Sequence, residues 1–136
     1  MRTFQLDPKM LTMGGVFYPT GYMILMFASE QEARRAAKIL GHADFDIDDF
    51  MLIRPDDIRD QMMGTSGPGD DEILPSAGTE ADTVRRYWEL AQEGHYGLMV
   101  PSPHNADAER AIAVLQDPKP SYGQRYRTLI IEDLVG

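Results

Sequence analysis

Four residues near the ends of predicted elements carry the side chains best suited to bind a small ligand. His95 lies just before an apolar strand, and His104 lies just before the helix that follows that strand. An imidazole can move a proton near neutral pH, so His104 and then His95 are the first candidates for a general base. Tyr122 and Arg125 belong to the one local cluster with positive charge, which could bind a small anion or an acidic partner segment. We name these four as the candidate ligand site and assign no catalytic residue.

A structural interpretation of the same residues is simpler, and we favour it. The three histidines of the chain all fall near predicted element boundaries, where surface and capping positions are common. No two of them have the spacing that places side chains on one helix face. The cluster around Arg125 is explained by outward-facing residues that alternate where the last strand begins.

An acidic segment and a glycine-rich segment resemble known binding loops without matching them. Counted from Asp44, a calcium loop would need glycine where the chain has Asp49 and a bidentate glutamate where it has Pro55. We therefore predict a solvated acidic turn there, not a metal site. The segment 64–69 lacks the Gly-Lys-Ser/Thr ending that cradles phosphate, and acidic residues follow it directly. It is predicted to be a flexible loop.

Catalytic and cofactor signatures are missing from the rest of the sequence. The chain has no cysteine, which excludes thiolate nucleophiles, disulfides and thiolate-bound metal sites. It also lacks the Gly-x-Ser-x-Gly pattern of a nucleophile elbow. We expect no cofactor and no metal, and we leave open whether the protein is an enzyme, leaning towards a non-enzymatic function.

Charge and hydropathy restrict the partners that the protein can have. The 136 residues include 22 acidic and 13 basic side chains, which gives a net charge of −9. A negative field repels phosphate backbones and anionic lipids, so we expect neither nucleic acid nor membrane as a partner. Asp7 and Pro8 lie where a signal peptide would need an apolar core, and the longest apolar run, residues 22–28, is too short to span a bilayer. We expect a cytoplasmic protein.

The elements that position these residues form two similar halves, residues 21–54 and 94–136, of one domain. Each half has the pattern strand, helix, strand. In the first half, Ser29 has the position of a helix cap, a stripe of alanines with Leu40 follows at helical spacing, and Gly41 can end the helix in a left-handed conformation. In the second half, the helix spans residues 105–116, and residues 126–134 form the closing strand.

Two further segments lie outside this repeat. Residues 55–93 form an insertion, in which residues 64–78 are predicted to be a loop and residues 79–93 an amphipathic helix that covers the core with Trp88. Residues 1–20 are an N-terminal extension that packs on the core or against a partner. The simplest fold is a ferredoxin-like α/β sandwich, with four antiparallel strands and helices on one face. The open face and the two edges of such a sheet favour a homodimer.

Two stretches of the chain resemble a family of small bacterial proteins grouped with general stress proteins. These are residues 21–53, with an apolar strand followed by a Glu-Ala-Arg-Arg-Ala helix, and residues 94–134, which end in Arg-Thr-Leu-Ile-Ile-Glu-Asp-Leu. The resemblance implies a stress-associated protein and no catalytic residue. Our first hypothesis is a non-enzymatic accessory module that acts through self-association or a protein partner. The alternative is a small-ligand regulatory domain or a dimeric ferredoxin-like enzyme, with its site on the sheet face or at the dimer seam.

Overall fold

A computed structural model describes residues 1–12, 14–62, 78–127 and 130–135, which build one six-stranded sheet with helices on both faces. The strands are β1 (Arg2–Thr3), β2 (Tyr22–Phe27), β3 (Met51–Ile53), β4 (Tyr96–Pro101), β5 (Tyr122–Arg127) and β6 (Ile130–Val135). The helices are α1 (Glu30–Gly41), α2 (Pro55–Asp57, continued by a π-helical turn, Ile58–Met62), α3 (Gly78–Gln92) and α4 (Asn105–Val114). Short 3-10 turns span Pro8–Met10 and Ile47–Asp49. The predicted α/β class is confirmed.

The sheet has the strand order β1-β3-β4-β2-β5-β6, in which only the β1–β3 pair is parallel. The prediction of a four-stranded sheet is therefore wrong. The N-terminal extension adds β1 beside β3, and the predicted closing strand is two strands, because the chain reverses after Arg127 and returns as β6. The sequence predicts one closing strand over residues 126–134. Instead Ile130 is exposed at the start of β6, and residues 128 and 129 lie outside the described part of the chain.

Helices α1 and α4 cover one face of the sheet, as predicted. The small buried side chains Ala33, Ala36 and Ala37 let α1 lie close to the strands, and Leu40 completes the stripe. Ser29 caps α1, since its Oγ accepts the backbone N–H of Glu32 at 3.2 Å. The members of this core from the strands are Met23, Leu25, Phe27, Leu52, Leu98 and Val100.

The opposite face is also covered, which corrects the expectation of an open face. Helix α3, the turn after α2 and the N-terminal extension pack there on Ile24, Met26 and Met99. The Trp88 helix covers core as predicted, with Val84, Tyr87 and Leu90 buried and Trp88 itself half-buried. The extension contributes Phe4, Phe17 and Tyr18. Phe17 meets Phe4 and Tyr126 edge to face, and Tyr18 meets Tyr126 in the same way. One argument for a homodimer, the uncovered face, is thereby removed.

Local backbone geometry differs from the sequence prediction after α1. Gly41 stays in the helix, and the residue with a left-handed conformation is Asp44, at φ 69°. Asp46 accepts the backbone N–H of Asp48 at 3.0 Å, which stabilises the turn before β3. All four aspartates of this turn are exposed, as predicted. Gly94 has φ 86° and ends α3 as predicted.

Candidate functional site

Arg125 is a buried cation at the centre of the candidate site. It lies on β5 opposite Met23 of β2, and only 5% of its surface is exposed. Its Nε donates to the carbonyl and the Oγ of Ser102, at 3.1 and 3.2 Å. Its Nη1 donates to Oδ1 of Asn105, the first residue of α4, at 2.7 Å. Arg125 therefore joins β5 to the β4–α4 connection and to the start of α4.

All the described hydrogen-bond partners of Arg125 are neutral. Among the residues that the structure describes, no carboxylate lies within 4.0 Å of its guanidinium. Burying a charge is costly unless an opposite charge compensates it, so a buried arginine normally has an acidic partner. In a chain with a net charge of −9 such partners are abundant. Glu132 lies opposite Arg125 in the pairing of β5 with β6, but its carboxylate lies against Arg127. Arg125 can therefore take an anion from outside the described chain as its partner.

A cavity of about 420 Å³ opens beside Arg125, and a few polar groups surround it. His104 and Asn105 contribute the N-terminus of α4, and Arg127 contributes a second guanidinium at its edge. The first backbone N–H groups of a helix lack partners within the helix and carry partial positive charge, so this terminus attracts anions. Thr20 and Gly21, before β2, form the facing wall. The cavity thus has two guanidinium groups and a helix N-terminus, all of which favour negative charge.

Two acidic side chains near the cavity already have polar or ionic partners within the chain. The Asp107 carboxylate accepts the backbone N–H of His104 at 3.0 Å and lies 3.4 Å from Arg110. Glu132 lies 3.6 Å from Nη1 of Arg127, and both side chains of that pair are partly exposed. An exposed ion pair of this kind contributes little to stability. Arg127 can therefore turn towards a bound anion with little loss of free energy.

The structure brings His104 and Arg125 to one cavity and places His95 and Tyr122 elsewhere. β5 runs so that Tyr122 pairs with Met26 and Arg125 with Met23, near opposite ends of β2. Residues three apart on a strand also point to opposite faces. The four sequence-predicted residues therefore do not form a single site.

His95 and Tyr122 have contacts of their own at the other end of the sheet. Nδ1 of His95 is hydrogen-bonded to Oγ of Ser121 at 2.9 Å. The Tyr122 ring lies edge to face with Tyr87 at 5.7 Å, and the Arg86 guanidinium lies over its ring. Burial raises the pKa of the Tyr122 hydroxyl. These contacts explain both residues as parts of the packing.

Sequence reasoning missed Ser102, Asn105 and Thr20, and it assigned the wrong environment to Arg125. The favoured interpretation placed the Tyr122–Arg127 cluster on the outside, yet the four residues 123–126 are buried. The sequence positions of the missed residues could have identified two of them, since Ser102 and Asn105 flank His104 between a predicted strand and a predicted helix. Polar residues at such a junction often bind ligands, but the partner of Arg125 depends on strand pairing that the sequence does not give.

Comparisons with family models, with curated proteins and with solved structures found no match to this chain. The resemblance to general stress proteins therefore remains a prediction. Within the described residues, no cluster of three or more His, Asp or Glu side chains could hold a metal ion. In that same part of the chain, no helix has both the length and the apolar character needed to cross a bilayer.

Proposed function

We propose that this protein is a binding module for a small anionic ligand, a carboxylate or a phosphate, held in the cavity beside Arg125. The observation that carries the proposal is an arginine, Arg125, that is 95% buried and has no acidic partner among the described residues. Of the two hypotheses from the sequence, this is the small-ligand regulatory module. The cavity volume of about 420 Å³ lies within the range of small-molecule sites.

Arg125 has free donors for such a ligand. A guanidinium carries five N–H groups, and the described bonds use Nε and one donor of Nη1. The Nη2 group has no described partner, so two parallel N–H donors can meet two oxygens of an anion. Arg127 and the first amides of α4 then supply further positive potential around the same ligand.

The arrangement supports binding better than catalysis. His104 is the one histidine that lines the cavity with Arg125, and its exposed ring has no described side-chain partner that would orient it. A general base usually needs such an orienting group and a nucleophile within hydrogen-bond reach. A regulatory or storage function needs only selective binding, which a buried arginine provides.

The proposal includes a finer description of the fold. The inner strands β3-β4-β2-β5 are antiparallel, and α1 and α4 follow β2 and β4 as in a duplicated strand-helix-strand unit. We take this inner unit to be a ferredoxin-like core, to which β1 and β6 were added. The cytoplasmic location, the homodimer and the stress association stay as predictions from the sequence.

Isothermal calorimetry and amide NMR with inorganic phosphate and with citrate test the proposed function. We expect both anions to bind and to shift the amide signals of Asn105 and Ala106 most strongly. Arg127→Gln should weaken binding without unfolding the protein, because Arg127 is partly exposed. Arg35→Gln, which removes an exposed arginine of α1, is the matched control. If both anions failed to bind, or shifted signals only outside α4 and β5, the proposal would be wrong.

A further inference from the structure

A groove between α4 and β6 adjoins the cavity beside Arg125, and Asn105 lines both. The groove has a volume of about 490 Å³ and an apolar floor of Ala108, Ile112 and Leu134. Glu109 and Glu132 stand at its rim, and Asp133 borders it on β6. We propose that this groove, called the α4–β6 groove below, docks an extended basic segment of a partner protein.

The backbone of β6 supports an extended occupant. β6 is the last strand of the sheet, so its outer N–H and C=O groups pair with no described strand. A peptide in extended conformation can add to such an edge through main-chain hydrogen bonds and place alternate side chains in an adjacent groove. Ile130, which is 53% exposed at the start of β6, offers the same segment further apolar contact.

The charge around the groove selects a basic partner. Glu109 and Asp133 are exposed, and Glu132 is partly exposed. An occupant with apolar residues at alternate positions can bury them over Ile112 and Leu134, on the face of β6 that also carries Glu132. Lysines or arginines between them then lie on the opposite face, beside Asp133. The net charge of −9 also speeds the approach of a basic segment.

The same charges disfavour a second copy of this chain as the occupant. Antiparallel pairing of β6 with its own copy would bring Glu132 and Asp133 of both copies close together. Like charges on neighbouring strands destabilise a sheet, and charges on an edge strand oppose self-association. The acidic edge therefore admits a basic strand and excludes its own copy.

One β6 carboxylate, that of Asp133, is held in place before any partner binds. It accepts a hydrogen bond from Nε2 of Gln124 at 2.6 Å. Groups that are already ordered lose less conformational entropy on binding. This order distinguishes the groove from a merely solvated acidic surface.

The test uses a fluorescent peptide of about eight residues, the length of an ordinary strand, in which lysine alternates with valine. Fluorescence anisotropy should show binding that weakens as salt is added, and a peptide with glutamate in place of lysine should not bind. Glu109→Lys, on the exposed side of α4, should weaken binding about tenfold. Glu89→Lys, on α3 away from the groove, is the matched control and should leave binding unchanged.

Amide NMR of the full chain then locates the peptide. We expect signals of β6 and of the α4 face around Ile112 to shift, and β6 amides to gain protection from hydrogen exchange. Equal binding of the acidic peptide, equal loss in both lysine variants, or shifts confined to another edge would overturn the proposal. Sedimentation showing that β6 forms dimers in place of peptide complexes would overturn it as well.

Discussion

The two ends of the sheet use similar side chains in different ways. At one end, His95 is hydrogen-bonded to Ser121, and Ser121 in turn donates from Oγ to the carbonyl of Met26 at 3.1 Å. At the other end, Arg125 has only neutral partners and faces a cavity together with His104. Polar groups that hydrogen-bond to one another are explained by folding alone, whereas a buried charge with no carboxylate in contact can take an anionic ligand as its partner.

Arg125→Gln should have the largest effect, because it removes the guanidinium proposed to bind the anion and breaks the link to Ser102 and Asn105. We expect the free energy of unfolding to fall by no more than about 1.5–3 kcal/mol, the range for hydrogen bonds to a charged group, because removal of the buried charge offsets part of the loss. Urea unfolding with and without phosphate measures it, and the stabilisation by phosphate should disappear. Tyr122→Phe, at the other end of the sheet, should keep that stabilisation. An Arg125→Gln variant still stabilised by phosphate would contradict the comparison.

Tyr87→Phe tests the buried hydrogen bonds on the α3 face of the sheet, where polar groups bond to one another. Tyr87 is hydrogen-bonded to the Tyr126 hydroxyl at 2.8 Å, so its loss should destabilise the fold by about 1 kcal/mol. Burial, and next the neighbouring Tyr126, raise the pKa of Tyr87 well above its usual value. The folded state then holds its proton longer than the unfolded state, so stability is retained below about pH 10 and falls as the pH rises further.

Urea unfolding measured below and above that pH checks whether stability falls as the pH rises. The wild-type protein should lose stability on the alkaline side, and Tyr87→Phe should lose less. An equal alkaline loss in both proteins would show that other groups, such as Tyr96 and Tyr122, cause it, since burial raises their pKa values too.

His104→Ala and His95→Ala make a matched pair for the ligand site. His104 is exposed at the start of α4, so its removal should change stability by less than about 0.5 kcal/mol. We expect phosphate affinity, measured by calorimetry, to fall about threefold, since a donor at the cavity wall is lost. His95→Ala should leave that affinity unchanged. Equal effects from both variants would mean that the histidine at the cavity contributes nothing specific.

Glu132→Gln should have the smallest effect, and in opposite directions at two sites. It frees Arg127 from an exposed ion pair of 3.6 Å, so anion affinity should rise by up to about threefold. The same change removes a carboxylate from the α4–β6 groove and should weaken the basic peptide. Calorimetry with each probe separates the two results. If anion affinity stayed the same, Arg127 would not take part in the cavity.

The sequence alone was sufficient for elements whose periodicity matches their burial. The alanine stripe of α1 and the apolar face around Trp88 both predicted helices that cover core, and both are observed. β5 was misjudged because Gln124 and Arg125 are polar yet buried. Their burial depends on partners distant in sequence, Asp133 and Ser102, which no local pattern contains.

The site was predicted only in part for the same physical reason. His104 and Arg125 were both named, but their proximity follows from the pairing of β5 with β2 and of β4 with β2. The register of β4, β2 and β5 decides which strand ends lie side by side. Without that register, the sequence allows residues to be grouped only by their chemical type. Tyr122 and His95 were therefore grouped with a cavity that they do not touch.

The strand order has a consequence for how the chain folds during synthesis. β2 and β3 belong to the first half, yet β4 of the second half lies between them, and β5 flanks β2 on the other side. A nascent chain that ends before β4 leaves every edge of β2 unpaired, so we expect it to stay unfolded or to be held by a chaperone. We therefore expect the sheet to close late, once strands from both halves are present.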